Sequence, residues 1–451
     1  MRIFKVSLAL ALVMGALTSA ATSIAPLPTV ASLLTKARAR VQGTARVPLS
    51  AEDAPALEAR LRLNGTTTPS YVRALQQMPA GAGPALAEAV HAVLYRGTLP
   101  TGMKAAMGVR IAQVNESPYV AAHMARVLRA SSARGSKALA ALDGPGAIDT
   151  QKSRDGLRDG LDEPERLAVR YAEQLTRNVH GVSPEDFART RAVFNDSEVV
   201  ELTLTVAFFN YFTRYAEGLR LPVETWAVEG ASDAKVAASA PAPSPDPGAN
   251  ADWHAGVPRV ALISNEEMAA TQAALAAAKD PAQQGRSLGL GMANSQRAML
   301  RVPTIALPWR AYGNAVREKE EIGRDIKLHV SFAVSVANEC RYCTLHQVLG
   351  LRRLGVDPAK LLAMRKDDSA LTPREAVAVR FARALTARPG AVTDAEYDAL
   401  QKEFGAVGAQ ELLLQTCNFA FMNRFTDGLM LPSEDEAIRV YEEIYGPMST
   451  R

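Results

Sequence analysis

LAVRYAEQLT at 167–176 and VAVRFARALT at 377–386 are two versions of one segment, 210 residues apart. Downstream, FTRYAEGLRLPVE (212–224) and MNRFTDGLMLPSE (422–434) stand at the same offset, with no gap between the two matches. Within this stretch Phe194 pairs with Phe404, Glu201 with Glu411, Arg214 with Arg424 and Gly218 with Gly428. An earlier block, NESPYVAAH (115–123), matches NECRYCTLH (338–346) at an offset of 223. The change from 223 to 210 marks 13 extra residues in the first copy, between His123 and Leu167, where the chain is loose and polar (DGPGAIDTQKSRDG). Self-similarity at a fixed spacing predicts one supersecondary unit built twice.

Both copies read as helical. Ile326, Val330, Ala333, Val334 and Ala337 recur on one helical face, and so do Val377, Phe381, Ala384 and Leu385. Thr372-Pro373-Arg374-Glu375 offers a cap, a proline at the first helical position and a glutamate at the third. Thr393-Asp394-Ala395-Glu396 is a second capping box. Gln410–Thr426 is apolar nearly all round, which predicts a central buried helix stopped at Gly428. No run of alternating strands with hairpin turns appears. The expected class is all-α, with two tandem helical domains.

The 451-residue chain is 48% hydrophobic and 22% charged, which excludes a disordered chain, a collagen-like repeat and a multi-pass membrane protein. Lys+Arg 51 against Asp+Glu 47 leaves a charge of only +4, without the basic cluster of a nucleic-acid binder. Residues 1–20 read as a signal peptide: Arg2 and Lys5, an apolar run from Val6 to Leu17, then Thr18-Ser19-Ala20. The competing reading is a membrane anchor, but the run is shorter than the ~20 residues a span requires. The later greasy stretch Val199–Phe212 contains Glu201 and Asn210. The expectation is a periplasmic or secreted protein with no membrane contact after signal cleavage. Residues 229–256 are rich in Ala, Pro, Ser and Gly and read as an extended linker. It separates a first domain at 50–228 from a second at 257–447, and residues 21–49 read as weakly structured.

The chemistry centres on Asn338-Glu339-Cys340-Arg341-Tyr342-Cys343-Thr344-Leu345-His346-Gln347. Asn338 breaks the preceding helix and can cap the next. Cys340 and Cys343 then share a face in its first turns, within reach of one another. A helix N-terminus favours thiolate over thiol, and Arg341 adds positive charge nearby. His346 stands three residues beyond Cys343 and can take its proton; Gly350 leaves room on the same face for a ligand or a helix. The third cysteine, Cys417, has Ala207 as its repeat partner and reads as a small buried residue. His180 and His254 fall in loop-like stretches with no evident role.

On these residues the chain resembles the carboxymuconolactone decarboxylase family, in its alkylhydroperoxidase D-like branch. A Cys-x-x-Cys pair with a nearby His, after a helix ending in Asn, is the core of the resemblance. RFTDGLMLPSE and ANSQRAMLRVPTIALPWRAYG (293–313) are similar to segments of its peroxidase-related members. The resemblance implies an all-helical, oligomeric protein that reduces hydroperoxides through the cysteine pair. Cys343 would attack, Cys340 would resolve, His346 would relay a proton, and an external dithiol protein would reduce the disulfide. No haem, flavin or metal is implied. Gln347 occupies the family's usual His position, and Leu328, between Lys327 and His329, occupies that of its relay Glu. The first copy has Ser117 and Val120 in place of the thiols but keeps His123, so it is a degenerate copy with a structural role.

Other readings stay open at this point. Cys340, Cys343, His346 and His329 could supply the four ligands of structural zinc. An inert disulfide is a second option, although so short a loop gains little stability. The same pair could serve a thiol-disulfide oxidoreductase, or the fold could persist as a non-catalytic binding or assembly module. A lactone decarboxylase would have no use for the thiols. Glu201, Glu411, Arg214 and Arg424 recur in both copies and suggest buried ion pairs.

Overall fold

Thr372 and Thr393 do cap helices. Each accepts the N–H of the third helical residue while that residue's glutamate reaches back, starting the helices Pro373–Ala387 and Asp394–Gly428. The computed structural model describes residues 27–50, 68–131, 134–143, 160–230, 257–277 and 293–447. Residues 1–20, expected to be a signal, nearly all of the expected linker and His254 lie outside them. Among the described residues the regular elements are helices and no strand occurs, so the class is all-α.

The N-terminal half runs through Ala82–Tyr95, Thr101–Val114, Pro118–Ser131, Glu163–Arg177 and Asp196–Gly218. The C-terminal half runs in matching order through Pro303–Val316, Arg324–Ala337, Arg341–Arg353, Pro373–Ala387 and Asp394–Gly428. The last of these is interrupted at Gly405, whose φ of 73° breaks it into two segments. They match the separate helices Pro184–Val193 and Asp196–Gly218. Left-handed non-glycine residues also recur in register. Glu116 (φ 52°) matches Glu339 (57°), and Arg220 (50°) matches Met430 (51°). Each sits just past a helix end, where a left-handed residue lets the following N–H reach back to a free carbonyl: Ser117 N to Ala112 O and Cys340 N to Ser335 O.

Within 21–49, the described residues 27–49 do not follow the expectation of weak structure. Val30–Ala39 is a helix capped by Thr29, and Val30, Leu33, Leu34 and Ala37 are buried against Pro118–Ser131. The stripe is one helical face; a low overall apolar content obscured it.

The helices Asp196–Gly218 and Asp394–Gly428 pack along one another and form the centre of the molecule. Val199–Gly218 is buried all round and Gly408–Gly428 nearly so, so each needs a second helix to leave water. Their ends interlock reciprocally. A side chain on Gly218 would meet Leu413 and Leu385; one on Gly428 would meet Leu175 and Thr203.

The recurring arginines are not ion pairs. Arg214 Nη2 donates to the Thr386 carbonyl at 2.9 Å, and Arg424 Nη2 to the Thr176 carbonyl at 3.2 Å. Each guanidinium satisfies a last-turn carbonyl of the opposite half, at the negative end of that helix. Burial pushes Arg214 down to about 10. The recurring glutamates are ion pairs. Glu201 meets Lys104, and Glu411 meets Lys327 at 2.7 Å. Each carboxylate also accepts two backbone N–H groups, Thr98 and Leu99 in one half, Glu321 and Ile322 in the other. Gly97 (φ +87°) cannot be replaced here, because a Cβ would lie 2.3 Å from Glu201 Oε1.

Candidate functional site

Asn338 ends the helix Arg324–Ala337 but does not cap the next one. Cys340 does: its sulfur accepts the Cys343 N–H at 3.4 Å, and the helix starts at Arg341. A sulfur can fill this role because Glu339 turns left-handed and brings Cys340 to the N-cap position. Both sulfurs lie 3.4 Å from the Thr426 hydroxyl, which bridges them. The Cys340 thiol also points at Asp427 Oδ1, at 3.2 Å. The other Asp427 oxygen accepts the Arg341 N–H at 3.0 Å and His180 Nε2 at 2.8 Å. A histidine from the N-terminal half therefore fixes the carboxylate that touches the thiol of the C-terminal half. At the matching place in the first half, Ser117 Oγ donates to Glu217 at 2.7 Å.

The helix N-terminus does not favour the Cys340 thiolate. Burial, followed by the neighbouring Cys343 and Asp427, pushes this thiol well above its ordinary range. It is held as a thiol donating to Asp427. Cys340 is 0% and Cys343 2% exposed. Reaction of the folded protein with a bulky disulfide reagent is therefore expected to run at least about tenfold slower than in guanidinium. Cys343 should lead, and absorbance of the released thiol would record it. Rapid labelling of all three cysteines in the native protein would contradict the burial.

His346 is engaged elsewhere. Its Nδ1 meets the Tyr342 carbonyl at 2.7 Å, its Nε2 meets the Glu434 carboxylate, and its ring stacks on Tyr342 with centroids 4.2 Å apart. Both partners are acceptors. Both ring nitrogens are taken by these partners, and neither sulfur is among them. The first half repeats the group: His123 Nε2 meets Glu224 at 2.7 Å, Tyr119 donates to Glu224 at 3.2 Å, and the two rings stack. The two glutamates also accept matching backbone donors, Ser70 and Asn294.

His329 is not near the thiols' partners: Nδ1 meets the Asp325 carbonyl and Nε2 lies 3.4 Å from Glu375. Among the described residues no group of three or more His, Cys, Asp and Glu is placed to hold a metal, so the zinc reading finds no cluster. Leu328 lies against Gly350, so the room at that glycine is taken by the neighbouring helix. Cys417 is fully buried.

Four residues at the site escaped the reading from spacing: Thr426, Asp427, Glu434 and His180. Three lie in the repeated tail, where an acid recurs at 217 and 427 and at 224 and 434. That recurrence was the available signal. Nothing local marks His180, because its contact crosses from one half to the other.

Residues 303–384 match the carboxymuconolactone decarboxylase family. The matched stretch covers the helices from Pro303 through most of Pro373–Ala387, including both thiols. No curated protein matches the chain. Among solved structures, the debrominase Bmp8 in complex with 2,3,4-tribromopyrrole aligns at 18% identity and a TM-score of 0.34, covering 41% of this chain and 95% of that one.

The paired glutamates set an acid limit on stability. Burial pushes Glu224 up, but the His123 charge and hydrogen bond and the Ser70 N–H outweigh it and hold the carboxyl below its ordinary range. A folded value below the unfolded one, about 4.3, adds stability above that pH and loses it as pH falls through the folded value. Glu224→Gln is expected to lower stability by about 1–3 kcal/mol at neutral pH and to flatten its fall between about pH 5 and 3. Urea unfolding across that range would show it; an unchanged slope would contradict it.

Proposed function

We propose that the chain is an exported tandem duplication in which only the second copy is redox-active, and that it reduces hydroperoxides through Cys340 and Cys343. The observation that carries this reading is the Asp427 carboxylate 3.2 Å from a buried Cys340 thiol whose neighbour is Cys343. Cys340, held protonated, suits the resolving role and leaves Cys343 to attack. The Cys343 thiolate attacks the terminal oxygen of ROOH. The S–O bond forms, the O–O bond breaks, and the alkoxide takes from water the proton that the Cys343 thiol released on ionising, leaving as ROH. Cys340 then gives its proton to Asp427 and attacks the sulfenic sulfur. The S–S bond forms, and the hydroxide leaves as water with that proton. An external dithiol protein supplies two electrons to reopen the disulfide. Thr426 lies against both sulfurs, while His346, Tyr342 and Glu434 anchor the helix that carries them.

The match over 303–384 supports the redox reading at the level of the family. The registered helices, left-handed residues and ion pairs support the duplication, with the thiol-free copy supplying His180 and half of the central packing. The proposal includes the signal at 1–20, a periplasmic or secreted location and association of whole chains.

Hydroperoxide consumption by purified protein, with and without dithiothreitol, tests the reading. Turnover is expected only with the dithiol, and Asp427→Asn should slow disulfide formation without preventing the sulfenic acid. No consumption even by the reduced protein would favour the non-catalytic module.

A further inference from the structure

His180 belongs to the half without thiols, yet its side chain ends at the thiol site of the other half. It stands in the turn between the helices Glu163–Arg177 and Pro184–Val193. The turn closes on Asn178, whose side-chain oxygen accepts the His180 N–H at 2.8 Å and whose carbonyl accepts the Gly181 N–H at 2.9 Å. Gly181 lets it close, because a Cβ there would lie 2.6 Å from the Gln174 carbonyl oxygen. The imidazole is thereby carried to Asp427 Oδ2, at 2.8 Å.

The duplication supplies a control. At the offset of 210, His180 matches Gly390, in the turn Pro389–Ala391. That turn lies against the corresponding place on the other copy: a Cβ on Gly390 would fall 2.5 Å from the carbonyl oxygen of Glu116, the match of Glu339. The acid there that matches Asp427 is Glu217, and it is met by Ser117 and Arg40 of its own half. Of two equivalent turns, the one that reaches the thiols carries a histidine, and the one that reaches the serine carries no side chain. Packing alone would treat the two places alike.

We infer, on the basis of the thiol reading of Cys340 and Cys343, that His180 is a positioning residue for the second redox step, so that the copy without cysteines completes the site of the copy that has them. Asp427 is 4% exposed. Its Oδ2 accepts from two donors, the Arg341 N–H and His180 Nε2, which leaves Oδ1 facing the Cys340 thiol. A buried carboxylate stays an anion only while donors compensate for the water it has lost. Only the anion can take the Cys340 proton, after which the Cys340 sulfur attacks Cys343. His180 thus acts on the Cys340 side, whereas the Cys343 sulfur lies against Thr426. Its loss bears on closure of the disulfide and not on the first attack.

Rapid-quench mass spectrometry of the reduced full-length chain mixed with cumene hydroperoxide separates the two steps. Loss of the Cys343 thiol reports the first, and the Cys340–Cys343 disulfide reports the second. His180→Leu is expected to leave the first rate within about twofold of wild type and to slow closure at least about tenfold, the factor of one hydrogen bond to a charged group, so that sulfenic acid accumulates at Cys343. His180→Gln keeps an N–H donor in the place of Nε2 and should restore closure to within about threefold of wild type. Diamide repeats the measurement without peroxide. The Cys343 thiolate and a proton add across its N=N bond; Cys340 then attacks the Cys343 sulfur, the S–N bond breaks, and the hydrazine leaves with the Cys340 proton. The same ranking of closure rates is expected. A wild-type pair that diamide closes and peroxide does not would count against the peroxidase reading alone, and the diamide rates then decide the role of His180. Closure at the wild-type rate in His180→Leu, equal slowing of both steps, or a glutamine variant no faster than the leucine variant would each overturn it.

Discussion

Replacing Cys343 by serine is expected to lower hydroperoxide turnover at least about a hundredfold, because the hydroxyl cannot supply the thiolate that attacks the O–O bond. Cys340→Ser should also stop turnover, but at a later point. The attacking thiolate remains, so one equivalent of peroxide is consumed and a sulfenic acid stays at Cys343, trappable with dimedone. The asymmetry follows from the two environments. Cys340 caps the helix and donates to Asp427, while Cys343 is on the first helical turn with its sulfur against the Thr426 hydroxyl. Cys417→Ser should leave turnover unchanged, since its residue lies in the central helix and away from this group. Wild-type turnover in both the Cys340 and Cys343 variants would remove the thiol mechanism.

Lys104→Met is expected to give the largest loss of stability of any substitution discussed, about 3–5 kcal/mol. Lys104 and Glu201 are 0% and 1% exposed, so the remaining carboxylate would be a buried charge with no counter-ion. The two backbone N–H groups of Thr98 and Leu99 soften this without neutralising it. Lys104→Met with Glu201→Gln together should recover a substantial part of the loss, because the glutamine leaves no charge to bury. A denaturant midpoint that does not move in the single variant, or a double variant no better than the single, would show that the pair is not what holds this corner. Lys327→Met should cost less, since the Lys327 side chain is 11% exposed and its pair with Glu411 is less completely removed from water.

How much of this was legible before the structure depended on how local each feature is. The capping boxes at Thr372 and Thr393 are complete within four residues, so sequence alone placed both helix starts. The repeat placed Glu201, Glu411, Arg214 and Arg424 as shared structure but could not say which were ion pairs. Arg214 turned out to serve a carbonyl of the other half, and no pattern within one copy can show that. The Cys-x-x-Cys pair was plain. Its surroundings were less so, because a helix N-terminus argues for thiolate whereas burial and Asp427 argue the opposite for Cys340. The Glu434 partner of His346 could not be read from spacing, since it lies 88 residues away in sequence.

The most direct test of the central claim is an anaerobic titration of the fully reduced protein with one equivalent of cumene hydroperoxide. Cumyl alcohol is measured by chromatography, and the cysteine-containing peptides by mass spectrometry. The account predicts one alcohol and one Cys340–Cys343 disulfide per chain, with Cys417 still reduced. Alcohol formed while both Cys340 and Cys343 remain thiols, or no alcohol at all, would contradict it.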